Sequence, residues 1–185
     1  METTMNGAER FFVLSGGPGA GKTTLIEALR ANGFATTEEA GRGVIQAEMQ
    51  SRGNALPWID PARFAERMFE WELASYRHAE RQDGPVFFDR GLPDTLGYLR
   101  LEGLGVPILM EDQASRLRYH ARIFIAPPWK EIYGQDEERR QSWQLAVRTY
   151  EIMAETYVEL GYSLVELPRA PVAARVEFIR RQTGF

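Results

Sequence analysis

The chain has 185 residues, 44% of them hydrophobic and 26% charged, which fits one globular domain and excludes disordered and fibrous classes. Its net charge of −4 disfavours a protein that coats nucleic acid, and the absence of cysteine excludes disulfides and thiolate metal sites. The start is polar, and the apolar run 11–14 is too short for a leader peptide or a membrane span, so we expect a cytoplasmic protein with no membrane partner.

Short apolar runs alternate with helical patterns along the chain. Five strands are predicted, at 11–15, 34–38, 86–89, 122–126 and 163–167. Apolar residues recur at helical spacing within 63–79 and 143–158, and Pro171 opens a last helix. This order predicts an α/β fold, a single domain over 1–185 in which helices cover both faces of a parallel sheet. Ligands are expected at the carboxyl ends of the strands.

The first strand leads into a glycine-rich segment that matches G-x-x-x-x-G-K-[ST] in full and precedes a predicted helix. Its backbone N–H groups and the positive end of the helix dipole form a phosphate cradle. We predict that Lys22 reaches the β and γ phosphates and that the hydroxyl of Thr23 binds Mg²⁺. The predicted phosphate-binding residues are Gly16, Gly17, Pro18, Gly19, Ala20, Gly21, Lys22, Thr23 and Thr24.

The third strand is apolar and ends in Asp89, a position from which a carboxylate can meet Mg²⁺ directly or through water. The alternative is an aspartate that only ends the strand before Gly91. Arg90 follows at the position where many motor-type P-loop ATPases place a glutamate, so hydrolysis as the main reaction is disfavoured. None of the asparagines precedes a lysine, and a standard GTPase is therefore disfavoured as well.

Several segments together resemble the P-loop nucleoside and nucleotide kinases, over most of the chain. They are the glycine-rich segment, Asp89-Arg90, the basic loop before the penultimate helix, and the closing strand with its proline-rich turn. The segments 39–42 and 128–133 further resemble an AAA-type group of predicted ATPases or kinases that includes ribosylnicotinamide kinase domains. The resemblance implies a three-layer fold, strand order 2-3-1-4-5, a mobile lid and an acceptor pocket between helices.

The resemblance also implies roles for individual residues. Glu39, after the second strand, would accept the proton of the acceptor hydroxyl, and Asp89 is the alternative base. Arg42 and Arg90 would line the acceptor side. Arg169, in the loop before the last helix, would stack on adenine, with a surface position as its alternative.

The polar loop within 129–142 is the predicted lid. Arg139 would neutralise charge on the migrating phosphoryl group as the loop closes, and Arg140 would assist in binding the nucleotide. The neighbouring acidic residues 136–138 allow a second interpretation, in which this segment is an ordinary solvated helix start.

The sequence as a whole predicts an ATP- and Mg²⁺-dependent phosphotransferase with a small-molecule acceptor, which is a nucleoside, a nucleotide or a related metabolite. Its predicted catalytic residues are Lys22, Glu39, Asp89 and Arg139. The alternative is a nucleotide-binding regulatory module in which loop movement is the output. The identity of the acceptor and the oligomeric state stay open.

Overall fold

The computed structural model describes residues 7–133 and 142–185, and its five strands form one parallel sheet in the order β2-β3-β1-β4-β5. The strands are β1 (Phe11–Gly16), β2 (Ala35–Thr36), β3 (Val86–Asp89), β4 (Arg122–Ala126) and β5 (Ser163–Glu166). The predicted order 2-3-1-4-5 is thereby confirmed. It places the ends of β1 and β3 side by side, with Leu14 paired to Asp89.

Eight α-helices connect and cover these strands within the described ranges. They are α1 (Gly7–Arg10), α2 (Lys22–Ala31), α3 (Ala40–Ser51), α4 (Pro61–Ala79), α5 (Leu92–Leu101), α6 (Ile108–Arg116), α7 (Trp143–Glu159) and α8 (Val172–Thr183), with a 3₁₀ turn at Lys130–Ile132. Side-chain caps fix two of the starts, because Asp60 accepts from the N–H of Arg63 and Ser142 from that of Leu145. In the described part of the chain, no helix combines the length and apolar character needed to cross a membrane.

The central strand β1 is buried along its whole length, and its alternate side chains point to opposite faces of the sheet. Phe11 and Val13 pack in one core cluster with side chains of α4, α5 and α7. Phe12 and Leu14 pack in a second cluster with side chains of α2 and α8. Two helical layers therefore enclose the sheet, as the three-layer prediction requires.

Element boundaries differ from the sequence prediction mainly at the edge of the sheet. The bounds of β3 and β4 are as predicted, whereas the predicted strand 34–38 is regular only at Ala35–Thr36. This strand has one neighbour, β3, and its pairing ends with the bond from Thr37 N–H to the carbonyl of Phe87. Pro171 is the N-cap of α8, one position before the first turn where it was predicted.

Candidate active site

The segment between β1 and α2 has the backbone geometry of a phosphate cradle. Gly16 has a φ of 126°, and a Cβ there would overlap the carbonyl oxygen of Ala126 on the neighbouring strand. Gly21, the N-cap of α2, has a φ of 74°, and a Cβ would lie 2.8 Å from a guanidinium nitrogen of Arg175. Only glycine fits both positions. The first turn of α2 contains no acidic side chain, so its N–H groups are suited to bind an anion.

Lys22 begins α2 and folds back over this segment. Its side chain is buried, and its ammonium group donates to the carbonyl of Gly17 at 3.1 Å. Burial and the charge of Arg90 lower the pKa of Lys22 to about 8, although Asp89 and Glu39 oppose the shift. Because burial disfavours the charged form of Lys22, a phosphate group beside the ammonium would stabilise that form.

Asp89 lies at the end of β3, where its backbone N–H donates to the hydroxyl of Thr37 at 3.1 Å. Its carboxyl group is buried, and the oxygen Oδ1 has no hydrogen-bond partner among the described residues. Burial raises the pKa of Asp89 and Glu39 adds to the effect, while Lys22 lowers it. A buried carboxylate with an unpaired oxygen fits a magnesium ligand or a proton acceptor.

The described residues contain no cluster of three or more histidine, aspartate or glutamate side chains that could hold a metal ion. In P-loop kinases Mg²⁺ is held by one or two protein oxygens together with the phosphates of the nucleotide. Thr23, in the first turn of α2, and Asp89 are oxygen donors of the kind that Mg²⁺ prefers. The residues present therefore fit a magnesium ion that arrives with a nucleotide.

Arg90 connects the phosphate cradle to the carboxylates of Glu39 and Asp94. It adopts a φ of 72°, which is rare for a residue with a side chain. Its guanidinium donates to the carbonyl of Gly16 at 3.0 Å, to Glu39 at 3.2 Å and to Asp94 at 3.1 Å. Burial lowers the pKa of Arg90, but the carboxylates of Glu39 and Asp94 more than offset this effect and raise it overall. Arg90 is therefore a fixed cation.

Glu39 is the N-cap of α3 and pairs with Arg90 rather than extending into solvent. Burial raises its pKa, yet the charges of Arg90 and Lys22 dominate and lower it overall. Arg42, one turn further along α3, is exposed, and its charge also contributes to this lowering. The structure thus brings Glu39, Asp89 and Arg90 together beside Lys22 and leaves Arg42 at the surface.

Asp94 is an important residue that the sequence analysis missed. It is buried in α5, where Oδ1 accepts from the hydroxyl of Ser15 at 2.5 Å and from Arg90. Its other oxygen, Oδ2, accepts from the hydroxyl of Tyr157 at 2.6 Å and from the N–H of Gly91 at 2.9 Å. One carboxylate thereby joins β1, the segment after β3, and α7. It holds the guanidinium of Arg90 through Nη1, while Glu39 accepts from Nε.

Glu72, in α4, was also missed. Only 2% of its surface is exposed, and its Oε2 atom has no hydrogen-bond partner among the described residues. Burial and the negative charges of Asp94 and Asp89 raise the pKa of Glu72 well above its usual value, with Arg90 acting in the opposite direction. A third acidic side chain thus shares the electrostatic environment of Asp89 and Asp94.

A cavity of about 380 Å³ lies between the phosphate cradle and the loop before α8. Its lining includes Gly21, Thr24, Trp129 and Pro171, together with Arg175 of α8. Arg175 is buried and donates to the carbonyls of Ala20 and Gly21 at 3.1 and 3.4 Å, and its guanidinium lies 6.0 Å from the ring centre of Trp129. The sequence analysis did not identify Arg175 or Trp129 as parts of this cavity.

Of the remaining predicted site residues, the structure describes Arg169. Arg169 is exposed and donates to the carbonyl of Pro128 at 3.1 Å, while its neighbours Ala170 and Pro171 line the cavity. Arg139 and Arg140 lie outside the described residues, so the lid stays a prediction. Beside that segment, the ring of Tyr133 packs against Trp143 and lies within contact distance of Gly19.

The fold and this site define a P-loop kinase-like protein. The AAA domain family model matches residues 11–175, and the chain belongs to that family. No curated protein matches the chain.

Solved structures support the fold assignment. The NadR protein, in complex with NR, is similar with a TM-score of 0.68 and 21% identity over 95% of this chain and 52% of its own, so this chain spans about half of that protein. Deoxyadenosine kinase from M. mycoides has a TM-score of 0.63 and 13% identity, over 94% and 98%. Shikimate kinase from Acinetobacter baumannii has a TM-score of 0.56 and 14% identity, over 95% and 93%. At these identities the likeness establishes the fold alone.

Proposed function

We propose that this protein transfers the γ-phosphoryl group of ATP, with Mg²⁺, to a hydroxyl of a small molecule. The observation that carries the proposal is the arrangement beside the phosphate cradle, where Lys22 and Arg90 share one electrostatic network with three carboxylates, those of Glu39, Asp89 and Asp94. A module that only binds nucleotide needs the cradle. It also needs a magnesium ligand such as Asp89, but it does not need a second carboxylate, Glu39, held by Arg90 beside the lysine.

The site geometry supports the following roles on the nucleotide side. The backbone of Gly16–Gly21 and the ammonium group of Lys22 bind the phosphates, and Thr23 and Asp89 hold the magnesium ion. Mg²⁺ supplies charge neutralisation on the transferred group when it is bound. The cavity beside Trp129 and Arg175 receives the base.

In the transfer step, the acceptor hydroxyl oxygen forms a bond to the γ-phosphorus. The bond from that phosphorus to the bridging oxygen breaks, and ADP leaves. The hydroxyl proton passes to a carboxylate, for which Glu39 and Asp89 compete. The pKa directions support Asp89 as the base provided that it does not bind Mg²⁺ directly, because its raised pKa makes it the stronger base, whereas the ion pair with Arg90 weakens Glu39. Arg139 in the predicted lid would add positive charge to the transition state.

A phosphate-transfer assay with ATP, Mg²⁺ and a panel of nucleosides, nucleotides and sugar-like alcohols tests the proposal. We expect at least one acceptor to yield a phosphorylated product and ADP in equal amounts, and Lys22→Met to abolish both products. Nucleotide binding by the parent with slow hydrolysis, and no acceptor that forms product, would instead identify a regulatory module.

A further inference from the structure

Two helices begin at the cavity beside the phosphate cradle. Its lining includes Gly21 and Thr24 at the start of α2, and Pro171 and Val172 at the start of α8. Neither start has a side-chain cap, and neither first turn contains an acidic residue. The N–H groups at the start of a helix carry the positive end of its dipole. Two such ends at one cavity make it favourable for an anion.

Arg175 adds a buried cation to the same cavity. It lies one turn into α8, lines the cavity, and is only 3% exposed. None of the ion pairs among the described residues includes it. Burial lowers the pKa of Arg175, and no charge of the described residues offsets that shift. A cation buried to this extent is normally paired with an anion, so the described residues leave the cavity short of one.

The hydrogen bonds of Arg175 also leave donor capacity unused. The carbonyls of Ala20 and Gly21 both accept from the same nitrogen, Nη1, while Nε is buried without a partner among the described residues. Buried donors in native proteins are nearly always paired, because an unpaired one costs free energy. A guanidinium presents its donors as a planar fork that suits the oxygens of a phosphate group. A phosphate in the cavity would therefore supply the charge and the acceptors that Arg175 lacks.

The covalent order of ATP identifies which phosphate lies here. In the proposed function the β and γ phosphates bind beside Lys22, and the base lies beside Trp129. The α-phosphate joins the β-phosphate to the ribose, so it must lie between these two positions. Arg175 spans this interval, because it donates to the carbonyl of Gly21 and its guanidinium lies 6.0 Å from the ring centre of Trp129.

From these contacts we propose that the starts of α2 and α8 and the guanidinium of Arg175 form an anion-binding subsite for the α-phosphate of the nucleotide. The proposal rests on the proposed phosphotransferase function, in which ATP is the donor, and it assigns a binding residue that has no motif around it. The subsite gives the protein a second cation for the nucleotide phosphates, which acts on the α-phosphate independently of Lys22.

The experiment measures how much each phosphate strengthens binding at the ATP site. Adenosine, AMP and ADP compete with a fluorescent ATP analogue for the full chain, so that only ligands at the ATP site are counted. In the parent we expect AMP to bind more than about tenfold more tightly than adenosine. Arg175→Gln should lower this ratio about tenfold, the effect of one lost hydrogen bond between charged groups. The affinity for adenosine should stay within about twofold of the parent.

Two other variants locate the effect. Arg181→Gln, on the same helix but 70% exposed, should leave the ratio of AMP to adenosine affinity unchanged. Lys22→Met should lower the ratio of ADP to AMP affinity instead, because Lys22 serves the β and γ phosphates. If Arg175→Gln lowers only the ratio of ADP to AMP, Arg175 merely supports the backbone of the cradle, and the subsite is refuted. Equal losses for adenosine and AMP would place Arg175 against the nucleoside and refute it as well.

A measurement on the parent covers the case in which Arg175→Gln does not fold. The nitrogen NMR signal of Arg175 Nε is assigned by its absence from the spectrum of Arg175→Lys. It should move when AMP binds and much less when adenosine binds, and equal movement with both would overturn the subsite. A parent that transfers phosphate but binds AMP no more tightly than adenosine would also overturn it while leaving the proposed function intact. If the ATP analogue does not bind at all, the proposed function and the subsite fail together.

Discussion

Replacement of Asp94 gives the most direct test of the network that holds the site together. In Asp94→Ala four donors lose their acceptor at once, and the two hydroxyl donors, on Ser15 and Tyr157, can turn to other partners. The N–H of Gly91 and the guanidinium of Arg90 have no such freedom. Breaking a buried charge pair by removing one partner costs about 3–5 kcal/mol. For a chain of this size the melting temperature should fall by about 6–20 °C.

The matched control is Asp112→Ala. Asp112 also pairs with an arginine four positions away in the chain, Arg116, but the two side chains are 46% and 75% exposed. An exposed pair of this kind is worth at most about 1 kcal/mol. Urea unfolding of both variants at pH 7 gives the two free energies directly. If the two variants lose equal stability, the network does not hold the site together and the argument fails.

Asp94→Asn separates the charge of this residue from its shape. One of the two oxygens becomes an NH₂ group that cannot accept, so at least one of the four bonds must break. We expect an intermediate loss of stability. The thermal stabilisation that ATP gives should also shrink, because Arg90 then has less to hold it against the carbonyl of Gly16.

Three further predictions concern the charged groups around the phosphate cradle. Because the folded chain lowers the pKa of Lys22 from 10.5 to about 8, the unfolded chain binds more protons between these values. The unfolding free energy of the parent should therefore rise from pH 8 to 10.5 relative to Lys22→Met, as pH-dependent urea unfolding would show. Glu39→Gln should lower kcat less than tenfold in steady-state assays if its main partner is Arg90; a loss of 10² or more would restore it as the base. Asp89→Asn should lower kcat by about 10² to 10⁴ with a melting temperature no lower than that of the parent, since it removes an unpaired buried charge; a clear drop in melting temperature would mark it as a strand cap.

Much of the fold and the phosphate cradle could be predicted because their signals are local. Five apolar runs of strand length, separated by helical patterns, specify the layers. The cradle is one continuous segment, and its glycines adopt backbone conformations that other residues rarely adopt. The end of a buried strand likewise identifies Asp89. The edge strand was predicted too long because β2 pairs on one side only, so its length depends on a neighbour that the sequence does not reveal.

The remainder of the site depends on single charged residues in helices. Asp94, Glu72 and Arg175 have no motif around them, and a charged residue in a helix is usually solvated. Their burial follows from packing between segments far apart in the chain, as when Arg175 reaches the carbonyl of Ala20. One signal was present in the sequence, because Glu72 interrupts an apolar series at helical spacing. Burying a carboxyl group on the core face of a helix costs free energy, so its presence there indicates a role beyond packing.

The choice between Glu39 and Asp89 as base shows why burial and pairing must be considered together. Both carboxyl groups lie close to Lys22, but Glu39 is neutralised by Arg90, whereas Asp89 retains an unpaired oxygen. If Asp89 binds Mg²⁺ directly, the ion lowers the pKa of Asp89 and removes its advantage as a base. A magnesium titration distinguishes the role of magnesium ligand from that of proton acceptor. Asp89→Asn should raise the concentration of Mg²⁺ needed for half-maximal rate if Asp89 is a ligand, but should lower only the maximal rate if it accepts the proton.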